Sequence, residues 1–332
     1  MAFVTPLLLP FENGDLDIPE GRGLFLNAEL PQGVDHADWR DRITCVQPWR
    51  DRFLSLASAR YETADKLSDK QDGFAFAFVA LGKHRAEAQA NIATAMSSVL
   101  PGGPIVIGGH KKIGSASIKK WVAERTEIVG SFSKSHWQVF ITHASADRPF
   151  DVPVKPAPLD GFETAPGMFS HQEIDPGSKM LADHLPDDDL GQLADFGCGW
   201  GFLSVEALRR GQAESVALID AHATSLEAAE RNVLAHHPGA NISMHWLDLA
   251  QEMPPKGFDT IVMNPPFHTE RMTNVDLGLA FIQKASQALK PGGRMFMVAN
   301  RQLPYEDLLA KSFKRVTAVQ SDSRFKVFAV FR

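Results

Sequence analysis

Asn264-Pro265-Pro266-Phe267-His268 closes a short apolar run, Asp259-Thr260-Ile261-Val262-Met263. A side-chain amide, a Pro-Pro backbone of fixed φ and an aromatic ring are the groups needed to grip a planar amine. Roughly sixty residues upstream lies a glycine-rich turn, Asp195-Phe196-Gly197-Cys198-Gly199-Trp200-Gly201. Glycines there permit a tight turn and bring backbone against a ligand that a Cβ would exclude. Together the two segments suggest methyl transfer to an amino nitrogen.

The turn reads Gly-x-Gly-x-Gly, so the Gly-x-Gly-x-x-Gly dinucleotide fingerprint is not met, and with no Gly-Lys-Ser/Thr the phosphate-binding P-loop is excluded. Asp220 ends the next apolar run, where a carboxylate can accept both hydroxyls of a ribose. Asp248 follows the run after that and has the chemistry to accept an adenine exocyclic N–H. Each has a plainer alternative: Asp220 as a charge at a helix N-terminus, Asp248 as a loop residue, and Asn264-Pro265-Pro266 as an Asx-type turn ending a strand. Cys198 and Trp200 read as packing residues. The scattered His and Asp residues show no metal-coordination spacing, so no metal is expected.

The elements that would position these groups alternate between strand and helix. Leu193–Phe196 reads as a strand, 202–210 as a helix, 215–220 as a strand and 225–236 as a helix. Residues 242–246 and 260–263 are further strands. A helix over 275–289 stops at Pro291-Gly292-Gly293, strand resumes over 294–299, and 315–320 with 325–331 form a terminal hairpin. Such alternation implies a mostly parallel, doubly wound sheet. The first half carries a fainter copy: a strand from Gly73-Phe74 to Leu81, a helical stretch from Ala86 to Leu100, Pro101-Gly102-Gly103 and a strand over 104–108. An internal duplication is therefore expected, the alternative being that Pro-Gly-Gly is a common helix stop. The first copy lacks the glycine turn, and Leu81-Gly82-Lys83-His84 stands where Asn-Pro-Pro-Phe should be. Proline density after residue 147 reads as a linker. The expected organisation is a degenerate domain over 1–150, a linker over 151–168 and a cofactor-binding catalytic domain over 169–332.

The 332 residues are 44% hydrophobic and 22% charged with a net charge of −6, ordinary for a soluble globular protein and too acidic for the whole surface to attract nucleic acid. A local exception is Lys111, Lys112, Lys119, Lys120, Arg125 and Lys134 against Glu124 and Glu127, an excess of +4. This cluster suits phosphate contacts, or is simply a solvated helix face. Two cysteines, no basic n-region at the N-terminus and no long apolar run predict a cytoplasmic protein without membrane spans, with a monomer favoured.

These motifs resemble class I S-adenosylmethionine-dependent methyltransferases, and more narrowly the ribosomal RNA guanine-N2 methyltransferases, above all those of the small subunit. From Thr164 to Arg332 the resemblance rests on Pro166-Gly167-Met168-Phe169-Ser170, Asp175 with Gly177, the glycine turn, Asn264 to His268, Val298-Ala299-Asn300, Leu303-Pro304-Tyr305 and Ser323 to Val327. Over the first half it is weaker, chiefly Glu87-Ala88-Gln89 and Gly108 to Lys112. Ala194 departs from the family, where a larger apolar residue is usual. The resemblance implies two Rossmann-like methyltransferase domains in tandem, the first degenerate, the second a mostly parallel seven-stranded sheet with an antiparallel terminal hairpin. It implies that Asp195, Gly197, Gly199, Gly201, Asp220, Asp248, Asn264 and Phe169 bind S-adenosylmethionine. It further implies that the Asn264 amide oxygen and the Pro265 carbonyl accept the guanine amine while Pro266 stiffens the loop and Phe267 stacks on the base. His268 is either an RNA contact or a loop-ordering residue, and Arg324, Lys326, Lys111 and Lys112 are candidates for holding ribosomal RNA or a ribosomal subunit. Large-subunit guanine, adenine N6 and glutamine N5 remain alternative targets, and a non-catalytic RNA-binding or ribosome-assembly factor is the alternative of another class.

Overall fold

The computed structural model describes residues 5–17, 19–30, 37–68, 73–134, 136–145, 150, 159–265 and 274–332. The chain divides into two compact units, Met1–Lys155 and Pro156–Arg332. The strands of the first unit are β1 (Gly23–Leu26), β2 (Ile43–Val46), β3 (Glu62–Ala64), β4 (Phe76–Ala80), β5 (Pro104–His110), β6 (Gly130–Lys134) and β7 (Trp137–His143). Those of the second are β8 (Asp189–Phe196), β9 (Gln212–Asp220), β10 (Ile242–Trp246), β11 (Phe258–Met263), β12 (Leu289–Asn300), β13 (Arg315–Ser321) and β14 (Phe325–Phe331).

Both sheets have the same strand order, β3-β2-β1-β4-β5-β7-β6 and β10-β9-β8-β11-β12-β14-β13. In each, the first five strands run parallel and the last two form an antiparallel hairpin at one edge. The central strands are apolar on both faces because helices cover both sides, as parallel sheets require. In the second unit, Leu193, Leu218, Val262 and Val298 face the helices Pro176–Ala182, Phe202–Arg210 and Ala223–His236. Ala194, Phe196, Ile261, Met263 and Met297 face the helices Asn274–Ala288 and Glu306–Ser312.

The duplication is visible residue by residue. Leu26 pairs with Val46 and Val79 as Phe196 pairs with Ile219 and Met263. Phe74 bridges Val99 as Phe258 pairs with Leu289, and the Pro-Gly-Gly that follows holds its first glycine at φ 82° in both units. The Pro-Gly-Gly was expected to separate helix from strand; instead it is a bulge inside β12, whose residues 289 to 294 lie opposite only 258 to 260 of β11. The register also corrects the alignment of the copies. Ala80, one residue after Val79, occupies the place of Asn264, and Leu81 that of Pro265.

The expected linker over 151–168 divides at residue 159. Residues 151–158 lie outside the described residues, but 159–168 belong to the second unit. Phe162 and Met168 are in its core and Thr164 is buried. Phe162 packs on Trp200 at 5.1 Å and stacks on His236 at 4.6 Å, while the Glu163 amide donates to Asn232. Prolines rule out regular backbone hydrogen bonding, which is a different matter from ruling out burial. Residues before Lys66, where the sequence shows little beyond an amphipathic, basic stretch from Trp39 to Arg60, contain β1 to β3; the short runs Gly23–Leu26 and Ile43–Val46 are each fully buried.

Gly201 caps the helix Phe202–Arg210 at φ 90°, and a Cβ there would lie 2.9 Å from Ala229 Cα on the neighbouring helix. Gly199, at φ 53°, has open space around it. Gly201→Ala should therefore cost about 2–4 kcal/mol, from left-handed strain plus overpacking. Gly199→Ala should cost only about 1 kcal/mol. Equal shifts in urea unfolding of the two variants would contradict this division.

Candidate active site

The carboxyl ends of β8, β9 and β11 bring the chemistry-bearing residues of the second unit to one edge of the sheet. In doubly wound folds that edge is where ligands bind, at the point where strand order reverses. Here β8 lies between β9 and β11, so the crossovers leave it in opposite directions.

Asp195 is completely buried on β8, on the face covered by the helix Phe202–Arg210. Its Oδ2 accepts a 2.7 Å hydrogen bond from the Ser204 hydroxyl, and its Oδ1 has no partner among the described residues. Burial pushes this carboxyl up to about 7; the Ser204 hydrogen bond opposes the rise and the nearby Asp220 charge adds to it. The turn that follows carries Gly197, Gly199 and Gly201, all at positive φ. Gly201 serves helix packing, whereas the open face at Gly199 admits a ligand against backbone. Trp200 is buried between Phe162 and Phe202, and its indole N–H donates to the Phe169 carbonyl at 2.9 Å. That bond ties the segment around exposed Phe169 to the glycine turn. Cys198 is buried and its thiol is pushed well above the usual range by desolvation, so it packs.

Asp220 is half-buried at the end of β9. Its Oδ2 accepts from the Gly199 amide at 2.8 Å and its Oδ1 from the His222 amide at 2.8 Å. Burial raises its pKa against these backbone bonds. The carboxylate thus shapes the glycine turn as well as facing the edge, and each oxygen retains a lone pair for a hydroxyl donor. Asp248 is more fully committed locally: Oδ1 accepts from the Ala250 amide and Oδ2 from the Gln251 side chain.

Asn264 follows β11 and is half-buried, with Pro265 buried behind it. Its Nδ2 donates to Asp175 Oδ2 at 2.9 Å and to Ser178 Oγ at 2.8 Å. Its Oδ1 is buried and has no partner among the described residues. Pro266, Phe267 and His268 lie outside the described residues. Asp175 and Ser178 were not among the expected site residues, although Asp175 sits within a quoted family motif; nothing in their spacing ties them to a residue so distant in sequence.

The basic candidates separate. Lys111 and Lys112 are exposed just beyond β5. Lys119 donates to Ser131 at 2.7 Å, Arg125 lies 4.5 Å over Trp121, and Lys326 is ion-paired with Glu306. Arg324 is exposed, its guanidinium 5.2 Å over Phe325.

The first unit has the same edge without the chemistry. Phe25 stands where β8 has Asp195 and packs edge-on against Phe78 at 5.7 Å. Asn27 replaces Gly197 and donates to the Ala80 carbonyl at 3.0 Å. Gln47 replaces Asp220: its Oε1 accepts from the Trp49 amide and its Nε2 donates to the Ala28 carbonyl at 2.7 Å. A neutral amide closes the loop where the second unit holds a carboxylate.

Residues 161–329 match the family model of the methyltransferase small domain. A ribosomal RNA small subunit methyltransferase C of Pseudomonas paraeruginosa is 30% identical over 321 residues, covering 92% of this chain and 91% of that protein. The chain belongs to this methyltransferase family. The same name is carried by a protein of Psychromonas ingrahamii, 28% identical over 295 residues, 84% of this chain and 83% of its own length. A 16S rRNA N2 methyltransferase of T. thermophilus, solved in complex with AdoMet and guanosine, shares the two-domain fold at a TM-score of 0.77. It is 22% identical and covers 96% of this chain and 90% of that one. Among the described residues of this family member, no helix is long and apolar enough to cross a membrane, and no group of three or more His, Cys, Asp or Glu side chains is placed to hold a metal.

The raised Asp195 carboxyl has a consequence for stability. Below about pH 4 folded and unfolded chains both hold this proton; as pH rises the unfolded chain ionises first, and the folded state loses stability until pH passes about 7. The full loss is on the order of 4 kcal/mol. Asp195→Asn should therefore unfold at higher urea than the parent at about pH 8, and the gap should narrow toward about pH 5. A gap that stays constant with pH would contradict the assignment.

Proposed function

We propose that this protein transfers a methyl group from S-adenosylmethionine to the exocyclic N2 of a guanine in small-subunit ribosomal RNA, in the cytoplasm. Membership of the family named for that subunit supports the substrate, as do the AdoMet and guanosine held by the T. thermophilus enzyme of the same fold. The observation that carries the reading is the buried, donor-less Oδ1 of Asn264 at the end of β11.

The cofactor fits the residues present. Asp195 offers a buried oxygen that lacks a donor, Gly199 offers open backbone, and Asp220 offers acceptors at the adjacent strand end. S-adenosylmethionine, when bound, supplies an electrophilic methyl on a positively charged sulfur. Asp195 would neutralise a cationic group, Asp220 would accept ribose hydroxyls, and Phe169 would cover an apolar face of the ligand. Asp248 has its carboxylate largely spent on its own turn and would contribute the weakest contact.

A guanine amine is a poor nucleophile because its lone pair is delocalised into the ring. Asn264 Oδ1 and the Pro265 carbonyl would accept its two N–H bonds, turning the lone pair toward the donor and stabilising the positive charge that develops on nitrogen. Both acceptors follow directly on a sheet strand, so little motion is left in them when the amine arrives. Pro266 would stiffen the loop and Phe267 would stack on the base, which must leave its own stack to enter. His268 would contact RNA. Lys111 and Lys112 would hold phosphate, with exposed Arg324 a further contact; Lys326 would first have to leave Glu306.

Asn264→Ala should lower turnover about a hundredfold or more while S-adenosylmethionine affinity by calorimetry stays within about threefold. Normal formation of N2-methylguanosine by this variant, read by mass spectrometry of digested ribosomal RNA, would end the reading. Reversal of Lys111 and Lys112 to Glu should weaken RNA binding about tenfold or more and make it less salt-dependent, by about one unit of slope per lysine. Unchanged filter binding across a salt series would remove these lysines from the interface.

A further inference from the structure

An Asn side chain can present either of two groups at nearly the same place, because a half-turn about its terminal bond exchanges oxygen for nitrogen. Only one of the two states suits an amine acceptor. With the oxygen toward the substrate the residue accepts N–H; with the nitrogen there it presents a second donor to a donor and repels. The proposed function therefore needs something that fixes the flip.

We infer that Asp175 and Ser178 are the positioning residues that lock the Asn264 amide with its oxygen toward the target amine. This rests on the reading of Asn264 as the acceptor. An ionised carboxylate only accepts, so the Asn264 atom 2.9 Å from Asp175 Oδ2 must be the nitrogen, and Oδ1 must point the other way. Ser178 Oγ, at 2.8 Å, takes the second N–H, so both amide hydrogens are spoken for. The reversed state would set the amide oxygen against the carboxylate oxygen and leave Asp175 Oδ2 with the Ser178 amide as its one remaining donor among these groups.

Asp175 is itself held in place. It caps the helix Pro176–Ala182, with Oδ2 accepting from the Ser178 amide at 2.7 Å, so one oxygen serves the helix and the lock together. Gly177 leaves room for it: a Cβ there would sit 3.0 Å from that same oxygen and 3.1 Å from the Phe325 ring. A charge-assisted bond to Nδ2 also shifts electron density through the amide onto Oδ1, making it a better acceptor for the charge that grows on the amine. The first unit shows the converse. Ala80 stands at the Asn264 position, and a methyl group needs no lock.

The test uses the full chain, undermethylated small-subunit ribosomal RNA and labelled S-adenosylmethionine. Asp175→Asn is the informative variant, because Asn caps a helix about as well as Asp but can offer either a donor or an acceptor to Asn264. Its kcat should fall about tenfold to a hundredfold, with the cofactor Kd and the KM for RNA within about twofold and the melting temperature nearly unchanged. In an Asn264→Ala background the same substitution should lower kcat no further, since there is nothing left to orient. Unchanged kcat in Asp175→Asn, or a loss that simply multiplies with that of Asn264→Ala, would overturn the lock. If Asp175→Asn does not fold, Ser178→Ala decides in its place: a kcat at least about threefold lower supports the lock and an unchanged one overturns it. Full turnover in Asn264→Ala itself would instead locate the failure in the underlying reading.

Discussion

A buried oxygen without a donor weakens a fold, and this protein keeps two of them at neighbouring strand ends. Asp195 Oδ1 and Asn264 Oδ1 are both shut away from water and both unpartnered among the described residues. Each forgoes on the order of 1–3 kcal/mol of desolvation that a hydrogen bond would offset. Native structures tolerate such groups chiefly where something else must supply the donor. A sulfonium cofactor with an ammonium group and a base with an exocyclic amine are two such suppliers. The strand pairing sets the two acceptors at adjacent strand ends, since Asp195 lies opposite Val262 and Asn264 is two residues beyond Val262, just past the end of β11.

The first unit is an internal control for that argument, because it is the same fold with the chemistry removed. Strand order, pairing register and even the φ of the Pro-Gly-Gly turn repeat. At the four positions that matter, Asp195, Gly197, Asp220 and Asn264 give way to Phe25, Asn27, Gln47 and Ala80. The buried carboxyl becomes an aromatic ring in the core, and the open glycine turn becomes a set of hydrogen bonds between the Asn27 and Gln47 side-chain amides and the backbone. Among the described residues of that unit Glu87 is an acid that burial raises to about 7, the nearby Arg52 charge opposing the rise. At this edge the first unit pairs its own polar side chains, although Arg40 Nε elsewhere in it is buried without a partner among the described residues, and its remaining conspicuous feature is positive charge at Lys111 and Lys112.

How much of this could be seen in the chain beforehand follows from range. The strand and helix order of the second unit was legible because each element carries its own apolar run and stop signal. The placement of the glycine turn, Asp220 and Asn264 at one sheet edge was legible because each follows directly on, or ends, a strand marked by its own apolar run. Asp175 and Ser178 were not, since their meaning lies in bonds spanning 89 and 86 residues. The copies were misaligned by one position because Leu81-Gly82 looks like a loop and Ala80 like strand; only pairing to β1 settles the count. The prolines at 149, 153, 156, 158 and 166 hid the burial of Phe162 and Met168, which depends on contacts such as those of Phe162 with Trp200 and His236 from elsewhere in the unit. Single-residue chemistry is local in sequence, but register and orientation are not.

The two kinds of acceptor at the edge explain why the site needs both a charged and a neutral one. A carboxylate beside the amine could take up a proton as well as accept an N–H, and burial raises the pKa of an acid, as it does for Asp195. An amide cannot titrate, so its oxygen presents the same acceptor at any working pH and carries enough partial charge to stabilise a developing cation. Its weakness is that it can turn over. The structure answers that weakness with a fixed negative group on the far side of the amide, where it can orient Asn264 without itself meeting the substrate. On the proposed reading the carboxylate's charge would reach the reacting nitrogen through the amide, with one hydrogen bond between the carboxylate and the group that meets the amine.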